Sequence, residues 1–445
     1  MGNRRAARAL PRSVRPRVIP LAEARRVVLE GCEVLAPRTV RVSESVGCVL
    51  ASAATARLDV PPFANSAMDG YAVRASDVAG APVTLPVAGR VLAGGSLAGE
   101  LPPGHAARIM TGAPVPAGAD AVCMVERTRA ASPDADTVVI EAEVRPGENV
   151  RDAGTDVRAG ETVLAAGTLV GPTQLAALLS AGCLDVDVRP RPRVGVISTG
   201  DELVDPGVAL GPAQIYDSNR PMLLGLVDET GCVPVDLGRS PDDTEQLERL
   251  IEQALSAVDA IVLSGGVSVG DLDVVRMVLD RMGNDATRWM QIAIRPAKPF
   301  SFSALGGPHG VVPVFGLPGN PVSSAVSFEV LVRPALRFMA GRRPIERSPS
   351  PAVLAEGVRR RPDGRTHFVR VQLERAGRDA GSRGRAGAGD GAGAAPWTAR
   401  PCAGQGSHQI RSLAVADGLA IVPDGNGAAE GDVVDVIVTN PELAG

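Results

Sequence analysis

The chain has 445 residues, 45% of them hydrophobic but only 2% aromatic, and a formal net charge of −4. That length calls for roughly two to four domains with cores of aliphatic side chains and alanine. The mild negative balance gives no electrostatic case for nucleic acid or membrane binding, and no run of about 18 apolar residues could span a bilayer.

The first 17 residues, "MGNRRAARALPRSVRPR", are basic and precede no apolar run, so they are not a secretory signal. They read as a disordered arm or a weak anion-binding tail. "LAEARRVVLEGCEVL", residues 21–35, has helical spacing of its apolar positions. From 55 to 145 short valine-rich runs are broken by Gly and Pro, a β-rich module. Helical spacing returns in "GPTQLAALLSAGC", residues 171–183. The module is thus expected to be inserted into a discontinuous helical linking domain made of 18–54 and 146–190.

Residues 191–344 alternate strand and helix. "RVGVIS", "VPVDLG", "DAIVLSGG" and "VVPVFGLPG" are strands. "SNRPMLLGLVDETG", "DDTEQLERLIEQALSA", "DLDVVRMVLDRMG" and "NPVSSAVSFEVLVRPALRFMAG" are helices. This pattern predicts a three-layer α/β domain with a mostly parallel sheet. Residues 345–445 return to short strands, as in a small β-barrel or sandwich. Within them the low-complexity segment 377–395 is expected to be a disordered loop.

Six scattered cysteines form no CxxC pair, which argues for buried free thiols in a reducing cytoplasm. The four histidines make no case for a catalytic one.

Three motifs stand where strands of the α/β domain end. "STGDEL" brings Ser198, Thr199, Gly200, Asp201 and Glu202. "SGGVSVGDLD" brings Ser264, Gly265, Gly266, Ser268, Gly270, Asp271 and Asp273, and "GLPGNPVSS" brings Pro318, Gly319, Asn320 and Pro321. Ligands of open α/β sheets bind beyond the carboxyl ends of strands, so three such loops make one pocket. Glycine-rich loops entering helices suit anions, whereas carboxylates repel them unless a cation lies between. A phosphate held with Mg²⁺ on Asp201, Glu202, Asp271 and Asp273 accounts for both. Helix capping is the other reading of these acids, and of Asp242 and Asp243. Lys298, the only lysine, lies beside Arg295 in the Pro-rich bend "IRPAKPF", where a compact ammonium suits an oxyanion.

"NSAMDGYAVR", "MTGAPVPAGADAV", "ISTGDELV", "IYDSNR", "LSGGVSVGD", "RPAKPF", "GLPGNPVSS" and "GRTHFVRVQL" occur in this order along the chain. Together they resemble the molybdopterin molybdenumtransferases, which include the bacterial MoeA proteins and the E domain of gephyrin. The resemblance runs from about residue 18 to 440. It implies a homodimer that takes adenylylated molybdopterin and molybdate as substrates, needs Mg²⁺, inserts molybdenum and releases AMP.

By the same resemblance Asp69, Thr111 and Asp156 come from the partner subunit and act in catalysis with Glu202 and Asp271. The three loops bind the pterin and AMP, and Arg295, Lys298, Pro299, Arg370 and Ser407 bind molybdate. Expected partners are the molybdopterin adenylyltransferase and apo-molybdoenzymes. The chain departs from the family at Ala64, where many relatives carry an acid, and at Arg295, where they carry lysine. The alternatives are the adenylyltransferase of the preceding step and a non-catalytic molybdopterin-binding or scaffold paralogue.

Overall fold

Residues 18–130, 135–266, 273–283, 286–375 and 397–443 are described by the computed structural model. The basic arm and segment 377–395 lie outside them. The chain divides into two units, Pro37–Val188 and a second made of Met1–Ala36 with Arg189–Gly445.

The larger unit is built on a seven-stranded sheet. Its order is Val18–Ile19, Arg288–Ile292, Pro299–Gly307, Gly310–Leu317, Ala260–Ser264, Arg193–Thr199, Val233–Ser240. The last four strands run parallel, and so do the first two. Pro299–Gly307 is antiparallel to both of its neighbours.

Central strands are apolar on both faces, which is why they read as continuous hydrophobic runs. Val194, Val196, Ala260 and Val262 pack with Leu223, Val227, Val322 and Val326 of helices Asn219–Glu229 and Pro321–Ser327. Their neighbours Ile197, Ile261 and Leu263 pack with Leu247, Ile251, Val275 and Leu279 of helices Thr244–Ala254 and Val274–Met282. This period-2 division makes the three layers, and each fully buried Val, Leu or Ile contributes about 1.5–3 kcal/mol.

Asp243 and Asp273 cap the second pair of helices, accepting from the N–H of Gln246 at 2.8 Å and of Arg276 at 3.3 Å. The long C-terminal helix of this layer runs from Pro321 to Met339 through a π turn at Phe328–Val332.

The helix expected near residue 21 forms over Leu21–Glu30. Its buried Ala24 and Val28 join the α/β core, not a linking domain with 146–190. The reason is the strand before it. Val18–Ile19 adds in parallel to Arg288–Ile292, and Arg25 donates to the carbonyl of Val330.

The C-terminal strands close a ring. Thr366–Arg375 pairs with both Trp397–Pro401 and Gly418–Val422. Ser350–Leu354 and Val433–Val438 complete the circuit. Ala352, Val371, Ala399, Ala420 and Val436 fill this barrel. Closure leaves no exposed edge among these five strands, and Ile294–Arg295 pairs alongside Thr366–His367.

The smaller unit has a six-stranded sheet, Thr128–Arg129, Thr137–Ile140, Val83–Val91, Ala106–Ile109, Gly70–Val73, Ala121–Met124. Short strand pairs surround it. Among its described residues the only α-helix is Pro172–Ser180, so the part expected to be helical is largely short strands. All six cysteines are free and buried. No helix among the described residues is long and apolar enough to cross a membrane.

Candidate functional site

The register of three parallel strands sets the site's position. Ser198 lies opposite Ser264, and Ser264 opposite Leu317. The next residues, Thr199, Gly265 and Pro318, therefore leave the same sheet edge side by side. The described starts of the three motif loops thus lie next to one another. Ser268, Gly270 and Asp271 lie outside the described residues.

Gly265 and Gly266 carry φ of +106° and +64°, where a Cβ is strained. A Cβ on Gly265 would also lie 2.7 Å from the carbonyl oxygen of Thr199. These glycines thus let the second loop turn tightly against the first. The Gly265 N–H is not a free anion donor, because it donates to the carbonyl of Leu317 at 3.1 Å.

Asp201 accepts from the backbone N–H of Asp242 at 3.0 Å, which brings the first loop to the start of Thr244–Ala254. Glu202 folds over Gly200, where an added Cβ would meet its carboxylate at 2.4 Å. Capping is thus the observed role of Asp243 and part of the role of Asp273. Among the described residues no three His, Cys, Asp or Glu side chains converge to hold a metal. Mg²⁺ commonly uses one or two carboxylates with water and substrate phosphate, and Asp201 and Glu202 supply carboxylates of that kind.

The segment Asp217–Arg220 of the motif "IYDSNR" also reaches this edge. Asp217 is buried and accepts from Ser198 Oγ at 2.5 Å and from Arg220 Nε at 2.9 Å. Asn219 Nδ2 donates to Ser264 Oγ at 2.9 Å and to the carbonyl of Gly319 at 2.7 Å.

The oxyanion candidates fall on the barrel side of this unit. Arg295 is exposed opposite His367, and Ala297 turns the chain with φ of +76°. Lys298 accepts through its carbonyl from Ile292, and Pro299 starts the antiparallel strand. Arg370 is fully buried. It donates to Ser412 Oγ at 2.9 Å and to the carbonyls of Gly404 and Gly406 at 3.0 and 3.3 Å. Its Nη1 has no partner among the described residues, and burial lowers its pKa. Ser407 accepts through its carbonyl from Val322 N–H at 3.1 Å, docking this loop on the first turn of helix Pro321–Ser327.

In the smaller unit Asp69 Oδ1 accepts from the backbone N–H of Thr111 at 2.7 Å and from its hydroxyl at 2.8 Å. Those two bonds, the backbone one first, hold the exposed carboxyl below its usual range. Asp156 is exposed on the loop beyond Val150–Arg151, and its N–H bonds the carbonyl of Val60.

Three family descriptions match in order. They are the MoeA N-terminal region (domain I and II) over 19–182, the probable molybdopterin binding domain over 195–337, and the MoeA C-terminal region (domain IV) over 393–439. Molybdopterin molybdenumtransferase 2 of Mycobacterium tuberculosis is 39% identical over 422 residues, covering 93% of this chain and 96% of that one. Molybdopterin molybdenumtransferase of Haemophilus influenzae is 38% identical over 331 residues, 74% and 80% of the two chains.

A crystal structure of a molybdopterin biosynthesis MoeA protein from Pyrococcus horikoshii superimposes with a TM-score of 0.74 at 33% identity. It covers 95% of this chain and 99% of its own. A second such structure gives 0.71 at 28% identity. With relatives of this identity along almost its whole length, the chain belongs to the MoeA family of molybdopterin molybdenumtransferases.

Proposed function

We propose that this chain is the molybdenum insertase of molybdenum cofactor biosynthesis, taking adenylylated molybdopterin and molybdate and releasing AMP. The observation that carries the reading is the alignment of Ser198, Ser264 and Leu317 on one sheet edge, which brings three polar loops into one place. The family match supplies the substrate class.

In this reading the loops at Ser198–Glu202, Ser264–Asp273 and Pro318–Pro321 hold the pterin and its phosphates. Bound Mg²⁺ supplies positive charge to the phosphoryl oxygens. Asp201, Glu202 and Asp273 hold it, together with Asp271 from outside the described residues. Arg295, Lys298, Pro299, Arg370 and Ser407 hold molybdate. The unpartnered Nη1 of Arg370 favours that assignment, since a buried guanidinium donor asks for an acceptor, and a dianion is a strong one. Asp69, Thr111 and Asp156 complete the site from the partner subunit of a homodimer. The adenylyltransferase of the preceding step delivers the substrate, and apo-molybdoenzymes take the product.

The test mixes purified protein with adenylylated molybdopterin, Mg²⁺ and graded molybdate, following AMP release and activation of a molybdenum-free apo-enzyme together. Molybdate-dependent release with matching activation is the expected result. Pterin binding with neither signal would make the chain a scaffold or storage paralogue. ATP-dependent adenylylation of free molybdopterin would assign it to the preceding step.

A further inference from the structure

We infer that Asn219 is a positioning residue that clasps two of the substrate loops together. Its consequence for turnover rests on the insertase reading, but its geometry does not. The side chain starts helix Asn219–Glu229 and reaches sideways across the edge of the sheet. One Nδ2 hydrogen goes to Ser264 Oγ in the second loop, and the other to the carbonyl of Gly319 in the third. Two residues earlier, Asp217 holds Ser198 of the first loop. A four-residue segment therefore touches all three loops.

The carbonyl of Gly319 decides which way the amide faces. A carbonyl oxygen only accepts, so the group 2.7 Å from it must be the NH₂. The Asn219 oxygen then points away, is sealed from solvent and has no partner among the described residues. A buried acceptor left without a donor is unfavourable, and natural structures hold few of them. The helix start does not need this side chain, since Ser218 holds the N-cap position and Asp217 Oδ1 accepts from the Arg220 N–H at 3.1 Å. The donor pair is what the position supplies. Aspartate, nearly identical in shape, would place a carboxylate oxygen against the Gly319 carbonyl and push the two loops apart.

The clasp ties Ser264, where the second loop begins, to the Pro318–Pro321 turn. Substrate gripped by both is oriented only as well as they are mutually fixed, and small misplacements at a reacting centre cost rate steeply.

The test compares the wild type with Asn219→Ala and Asn219→Asp in the full chain. Hydrogen exchange of the ligand-free protein reports the clasp without reference to any activity. Amides of residues 264–266 and 319–320 should exchange about 10-fold faster in Asn219→Ala, and faster again in Asn219→Asp, with the barrel unchanged. In the insertion assay kcat/KM should fall about 10–100-fold, with Asn219→Asp the worse, while the thermal midpoint moves little. Unchanged exchange in both variants overturns the clasp. Faster exchange with unchanged kcat/KM overturns the positioning role, as does an equal loss in both variants that tracks a lowered midpoint. A wild type without insertase activity but with the exchange pattern would remove the functional reading and keep the clasp.

Discussion

Arg370 offers the sharpest test of the oxyanion assignment. Its guanidinium is fully buried, its three hydrogen-bond acceptors are a hydroxyl and two carbonyls, and Nη1 is unmatched among the described residues. An anion that binds there satisfies a charge whose desolvation the fold has already met, so it must stabilise the folded state by linkage. At a molybdate concentration 100 times Kd the gain is about 2.7 kcal/mol. The larger unit holds about 290 residues, and at roughly 2.1 cal/mol/K per residue its unfolding entropy is about 0.6 kcal/mol/K. The midpoint should therefore rise by about 4 °C. Thermal unfolding against molybdate, with chloride at matched ionic strength, measures it. Lys298→Met should weaken the half-maximal concentration by about 10-fold or more, the worth of one charged hydrogen bond. An equal rise in chloride, or a molybdate response untouched by Lys298→Met and Arg370→Lys, would refute the assignment.

Thr111→Val removes one of the two bonds that depress the Asp69 pKa, so the carboxyl should titrate higher by NMR. A depressed carboxylate adds stability above its unfolded pKa and loses it as pH falls through the folded value. The variant should therefore lose that contribution at a higher pH than the wild type. Gly265→Ala forces a Cβ to φ of +106° and against the Thr199 carbonyl. It should destabilise by roughly 1–3 kcal/mol in denaturant unfolding and weaken pterin binding. Gly225→Ala, inside helix Asn219–Glu229 with nothing near its Cβ, should instead stabilise by about 0.5–1 kcal/mol. If the site is shared between subunits, Asp69→Asn and Glu202→Gln proteins, each inactive, should regain about a quarter of wild-type turnover after mixed refolding in equal amounts. No recovery on mixing would place both residues in one chain's own site.

The central sheet could be read from residues because its strands are short and apolar on both faces. Runs such as Ala260–Ser264 have no other comfortable place than between two helical layers. Arg288–Ile292 and Pro299–Gly307 lacked that signal. The second alternates Phe300 and Phe302 with Ser301 and Ser303, the pattern of a half-buried strand, yet it buries the serines as well and so does not read as a continuous apolar run. Helix Leu21–Glu30 shows why a correctly placed element can still be assigned to the wrong neighbours. Its spacing declares a buried stripe at Ala24 and Val28 but says nothing of what covers it. That is decided by Val18–Ile19 pairing with residues more than two hundred positions away.

The site divides along the same line. Each motif loop could be placed at a strand end because its position follows from the strand before it. What holds the loops to one another could not, since the Asn219 contacts join residues 45 and 100 positions apart. A donor pair of that kind has no periodicity and no local partner. It becomes visible only once register has set Ser264 next to Leu317, and Gly319 two residues beyond it. The acids show the converse. Capping is the favoured reading of Asp243 in sequence, with a site acid as the alternative, and its bond to Gln246 N–H engages one oxygen in capping. Asp201 instead accepts from a different loop, so its carboxylate ties the first motif to the Asp242 turn while remaining at the edge where the phosphates of the substrate are proposed to lie. Loop-to-loop contacts of this sort, more than the identity of any one acid, separate a binding edge from a row of helix caps.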